Sequence, residues 1–217
     1  SNGTLQIGNS QIHRQIVTNN VTIDTNGTIT MIGTNPSNSS IILMGNWDSS
    51  LGTFNKDPSS YSGIVYYAET DATEKDITTK NGQDLGSLTL IRGILKVKSN
   101  ITTDQLFLRG DIYGTNPTFD AGSTTYNISS NSFTIFVGGA FYGPDSPGSV
   151  TLNNLLIGTP FFGTTTNITI ELGSANVSIS GGLIDDLGVL DISAPTVGKT
   201  TTFNAGSGTI TVTRTDT

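Results

Sequence analysis

The sequence predicts an all-β protein, a right-handed parallel β-solenoid (β-helix) of roughly ten rungs with about 21 residues in each. Three observations predict it. Short apolar pulses alternate with Thr, Ser, Lys or Arg at a period of two, the pattern of a strand with one buried face. Between the pulses stand Gly, Asn, Asp and Pro, which turn a chain at low steric cost. The chain also echoes itself: TFDAGSTTYNIS at 118–129 matches TFNAGSGTITVT at 202–213, with a weaker echo in GTFNKDPSSYSGIVYY from Gly52. The three Phe residues concerned, Phe54, Phe119 and Phe203, are 65 and 84 positions apart, near multiples of one rung. A β-sandwich with Greek-key topology is the competing fold, because short alternating strands with polar turns fit it too.

In order along the chain, residues 1–45 carry pulses at Ile16/Val17, Val21/Ile23, Ile29/Met31 and Ile41/Leu43. Asn26-Gly27 and Asn35-Pro36 are strong turn signals between them. Residues 45–67 close with an apolar strand from Ile64 to Tyr67. The segment 68–86, AETDATEKDITTKNGQDLG, is the most charged part of the chain and has only Ile77 as an apolar anchor. It reads as a rung with a protruding charged loop, with a short helix as the alternative. The clearest pulses follow from Leu85 to Gly139, at Leu88/Leu90, Leu95/Val97, Leu106/Leu108, Ile112, Phe119, Tyr126/Ile128 and Phe133/Ile135. They continue at Val150/Leu152, Leu155/Ile157, Ile168/Ile170, Val177/Ile179, Ile192 and Ile210/Val212. Residues 1–217 thus read as one domain.

Composition narrows the function. Charged residues make up 12% of the chain, about half the usual share, and Ser, Thr, Asn and Gly take their place. The net charge is −7 with no run of Lys or Arg, which argues against nucleic acid and anionic membranes as partners. Cys is absent, so disulfides, thiolate metal sites and a Cys nucleophile are excluded. No apolar run reaches the ~20 residues that a membrane-spanning helix needs. The polar start is not a signal peptide, and the sequence reads as a mature or excised chain. Asn-X-Ser/Thr triplets are frequent, as chance dictates in this composition, and do not by themselves indicate glycosylation.

GNWDSSLGTFNKDPSSYSGIVYY, followed by EKDITTKNGQDLGSLTLIRGILKVKSNITTDQLFLRGD, resembles repeat modules of large extracellular bacterial cell-surface β-solenoid proteins of the filamentous-haemagglutinin and autotransporter-passenger style. The resemblance covers about residues 28–137 well and departs at the charged insertion, 69–84. It implies an extracellular, cell-surface location and an adhesive or scaffold role, and it supplies no catalytic residues to transfer.

Candidate chemistry is sparse. His13 is the single histidine and has no nucleophile motif beside it, so a Ser-His-Asp triad and a multi-histidine zinc site both lack their parts. Asp104 with Asp111, or Asp185 with Asp186, are the carboxylate pairs a glycosidase would use, but Asp in turns is explained by its bond to the backbone two residues on. The chain is therefore expected not to be an enzyme. Calcium is the one cofactor the Asp-bearing turns admit, with Asp185 and Asp186 as first candidates, then Asp48/Asp57 and Asp71/Asp76. Trp47, Phe141 and Tyr142 are the candidate glycan contacts: Trp47 reads as the start of a turn, and Phe141-Tyr142 lie in GGAFYGPDSPGS, whose prolines argue against an interior strand. Phe161-Phe162, after a proline, belong to the same class. The alternative is that these rings cap the core. A structural rod or filament is the expected function, its partners being copies of itself joined by strand complementation, neighbouring modules of a longer chain, or glycans.

Overall fold

The computed structural model describes residues 3–8, 15–32, 39–56, 63–80, 82–109, 115–122, 124–128, 133–136, 139–143, 149–152, 154–157, 168–171, 173–174, 176–179, 190–192, 201–204 and 206–212. Among them every regular element is a strand and every strand pairing is parallel. The chain is a parallel β-solenoid. A Greek-key sandwich is thereby overturned, since that topology is built from antiparallel neighbours.

Each circuit lays one strand on each of three faces. The first face holds eight strands: Gln15–Thr18, Ser40–Leu43, Gly63–Tyr67, Ser87–Arg92, Gln105–Leu108, Phe133–Phe136, Asn154–Ile157 and Leu190–Ile192. The second also holds eight: Val21–Thr22, Trp47–Ser49, Glu74–Thr79, Ile94–Val97, Thr118–Asp120, Gly139–Tyr142, Ile168–Glu171 and Thr201–Asn204. The third face is divided. Thr4–Ile7, Thr28–Met31 and Thr53–Asn55 form one sheet; Gln83–Asp84, Ile101–Thr103, Thr125–Ile128, Ser149–Leu152, Asn176–Ile179 and Ile210–Val212 form another.

Among the described residues each long face holds eight strands, against the roughly ten rungs expected from a 21-residue repeat. On the first face the residue that stands beside Gln15 is Ser40, then Gly63, Ser87 and Gln105. Later partners are Leu106 with Thr134, Phe133 with Asn154, and Leu155 with Leu190. The circuit therefore varies, because strand pairing fixes the faces while extra residues at a corner cost little entropy. Phe119 and Phe203 do share one position, in the register column Phe119–Phe141–Ile170–Phe203. Phe54 does not: it sits on the third face, so its echo is local sequence and not structural repetition.

The interior is filled by columns of inward residues. Ile41, Ile64, Leu88 and Leu106 form one on the first face, Leu43, Tyr66, Leu90 and Leu108 the next, and all are buried. On the second face Trp47, Ile77 and Val97 stack in register. Full burial of such aliphatic side chains contributes about 1.5–3 kcal/mol apiece. Asn26-Gly27 makes the predicted turn, with Asn26 at φ 66° and the Gly27 N–H donating to the Asp24 carbonyl at 2.8 Å; Asn tolerates the left-handed region better than most residues.

The charged segment 68–86 does not protrude as a loop and is not helical. Glu74–Thr79 is an inner strand of the second face, and Gln83–Asp84 opens the longer third-face sheet. Ile77 points inward and is fully buried, while the outward charges pair across strands: Lys96 with Glu74 at 2.7 Å, Lys98 with Asp76 at 3.6 Å and Arg92 with Asp71 at 3.5 Å. Alternation makes the segment's charge compatible with a strand.

Candidate functional site

The outward side of the second face concentrates the polar chemistry. Register places Asp76, Lys96, Asp120, Tyr142, Glu171 and Asn204 in one column, each on the next strand. At its beginning the column closes on itself. The Asn20 side-chain oxygen accepts the Asn46 backbone N–H at 2.8 Å, and that of Asn46 accepts the Asp76 N–H at 3.0 Å. Lys96 follows, its ammonium held above the ordinary lysine range by the hydrogen bond it donates to Glu74. Further along, Asp120, Tyr142 and Glu171 line a shallow trough of about 310 Å³ with Gly122, Gly143 and Gly173.

The corner beside this trough is built by a repeated local device. Asp120 accepts the Gly122 N–H at 3.0 Å, and Asn204 accepts the Gly206 N–H at 3.0 Å. Both glycines take positive φ, 58° and 66°, where a side chain is strained. The shared Thr-Phe-Asp/Asn-Ala-Gly sequence thus encodes a strand, an acceptor cap and a left-handed corner. Backbone bonds tie successive corners, Ala121 N–H to the Tyr142 carbonyl at 3.0 Å and Gly143 N–H to the Glu171 carbonyl at 2.7 Å.

Of the three aromatic candidates, two are in the core. Trp47 opens an inner strand, not a turn, and is 1% exposed; its indole N–H donates to the Ser49 hydroxyl at 2.9 Å and its ring meets Phe54 edge-on at 5.1 Å. Phe141 is 0% exposed and stacks on Phe119, centroids 5.5 Å apart and planes 1° from parallel. Gly139–Tyr142 is an interior strand, because both prolines of GGAFYGPDSPGS fall after it. Tyr142 alone faces outward, 38% exposed. Phe161-Phe162 and His13 lie outside the described residues.

The acidic candidates divide similarly. Asp185 and Asp186 lie outside the described residues, as do Asp57 and Asp111. Asp48 accepts the Ser50 hydroxyl at 2.6 Å and its N–H at 2.9 Å, which holds its carboxyl below the usual range. Asp71 and Asp76 are engaged by Arg92 and Lys98. Among the described residues no group of three or more His, Asp or Glu converges as a metal would require.

One cluster had no signal in the sequence. Where the third-face sheets part, Lys56 pairs with Asp84 at 2.8 Å and with Asp104, bridging successive rungs. Gln83 links Ser49 to the Phe54 carbonyl. Burial alone would lower the Lys56 pKa, but its hydrogen bonds to Asp104 and Asp84, with the charges of these two carboxylates, outweigh it and raise it. Side chains thus join what the backbone ladder leaves apart. No protein-family model, curated protein or solved structure matches the chain.

Proposed function

We propose that this chain is a non-catalytic structural module, a rigid segment of an extracellular, adhesin-like cell-surface rod. The observation that supports it is the continuity of two eight-strand parallel ladders around one apolar stack. Such a body transmits force along its axis through backbone pairing and presents a fixed lateral surface. Asp48, Asp84 and Asp120 cap turns, and Glu74, Asp84 and Asp104 pair with lysines, which favours a structural over a catalytic use of these carboxylates. Its resemblance to surface-protein repeats adds the location.

Two copies joined in tandem test the rod. Small-angle scattering should show the maximum dimension growing by about 38 Å, eight strand spacings, at unchanged cross-section. A thicker particle of the same length would refute coaxial stacking. Labelling of intact source cells by antibodies against the chain tests the location, and labelling only after permeabilisation would refute it.

A second reading, a self-assembling filament subunit, is favoured by Leu5. It belongs to the inward column Leu5–Ile29–Phe54, yet is 50% exposed, because Thr4–Ile7 is the outermost described strand of its sheet. A half-exposed apolar residue at an inward position suits a further rung packed on Thr4–Ile7, whether from another copy or from another segment of chain. Regular fibres in negative stain, lost in Leu5→Glu, would establish it; a monomer at every concentration would reject it.

A further inference from the structure

We propose that the trough around Tyr142 is a binding subsite for a neutral oligosaccharide. Asp120, Tyr142 and Glu171 occupy one column on three consecutive strands. Neighbouring strands lie ~4.8 Å apart, so the two acids stand about 10 Å apart along the column with the phenol between them. A saccharide ring presents a C–H face and a rim of hydroxyls. Tyr142 supplies an aromatic surface for the face, and Asp120 and Glu171 supply acceptors for hydroxyls on either side. Gly122, Gly143 and Gly173 leave the adjoining corner without side chains, so a ring can approach the backbone.

The site is held ready. Phe141, fully buried against Phe119, anchors the strand that carries Tyr142. The Gly122 N–H fixes one oxygen of Asp120 at the rim. A tyrosine loses little rotational freedom when its ring is covered, which is why it serves well as a preorganised contact. The start of the same column offers no comparable ring face, because Asn20, Asn46, Asp76 and Lys96 stand where Tyr142 does further along. Charge sets the ligand class. Two carboxylates at the trough, on a chain of net charge −7, disfavour uronates and sulfated glycans. The cation nearest in the column, Lys96, is paired with Glu74.

The test is calorimetric titration of the full chain with cellohexaose, xylohexaose, mannohexaose and chitohexaose, with a polygalacturonate oligomer as the acidic control. At least one neutral hexasaccharide should bind. Tyr142→Ala should weaken it about tenfold, a typical loss for one aromatic stacking surface, with its melting temperature unchanged as the folding control. Tyr142→Phe should retain affinity within about twofold, because the ring face and not the hydroxyl makes the contact. Glu171→Gln and Asp120→Asn should each weaken binding several-fold. No binding of any neutral hexasaccharide at millimolar concentration overturns the proposal, as does equal affinity of Tyr142→Ala. Binding of the acidic oligomer alone overturns it as well.

Discussion

Phe141 and Tyr142 are neighbours in sequence, differ by one hydroxyl, and have opposite fates. Phe141 is sealed in the stack on Phe119, and Tyr142 lies in an open trough. The same contrast runs across three strands of the second face, where the inward column Leu95–Phe119–Phe141 backs the outward column Lys96–Asp120–Tyr142. Residue type does not separate the two sides; strand phase does. The inward side is repetitive and interchangeable, since any well-sized apolar residue serves. The outward side is where one residue can be specific.

The comparison breaks most severely if charge is put on the inward side. Leu106→Asp, at a fully buried position beside Leu88, should cost at least ~4 kcal/mol by burying an unpaired carboxylate. Chemical denaturation that finds it as stable as the parent would show the facing assigned to Gln105–Leu108 to be wrong. Phe141→Ala should cost about 3–5 kcal/mol through the lost ring and the cavity left behind, against a change within about 0.5 kcal/mol for Tyr142→Ala. Equal effects at the two positions would abolish the distinction between the sides.

The Lys56 bridge tests the seam in the third face. Its side chain is 15% exposed between two carboxylates, so Lys56→Met should cost about 1–2 kcal/mol, less than loss of a fully buried partner. Its folded pKa is raised above the ordinary lysine value of 10.5. The stability it contributes is therefore complete below pH 10.5 and is lost as pH climbs through the higher folded value. Parent and Lys56→Met should converge in melting temperature only in that alkaline window; convergence at neutral pH would show the bridge to be idle.

The smallest effect sharpens the inward side. The Tyr66 hydroxyl is buried without a hydrogen-bond partner among the described residues, and burial pushes its pKa upward. Tyr66→Phe removes an unsatisfied group and should raise stability by about 1 kcal/mol. A loss of that size would reveal a partner for the hydroxyl.

Much of the fold is legible because its rules are local. The pulses at Leu88/Leu90, Leu95/Val97 and Leu106/Leu108 are the inward pairs of Ser87–Arg92, Ile94–Val97 and Gln105–Leu108, and Asn26-Gly27 is the turn it announces. The density of charge in 68–86 points to a loop, whereas its phase decides otherwise: Glu74 and Asp76 take the outward positions around Ile77. Trp47 and Phe141 depart from the sequence expectation for a related reason. Gly and Pro nearby mark the corners that end strands, and each ring lies just inside a strand.

The sequence by itself determined the alternation, the corners and hence the all-β solenoid, because period-two burial and positive-φ glycines act within a few residues. Only the tertiary structure decided which residues stand side by side. Rungs of 18 to 35 residues bring Lys56 to Asp84 and Asp104, and Asp120 to Tyr142 and Glu171. Such columns depend on the register between strands, and register is fixed by how each circuit closes over the core, which no local spacing records.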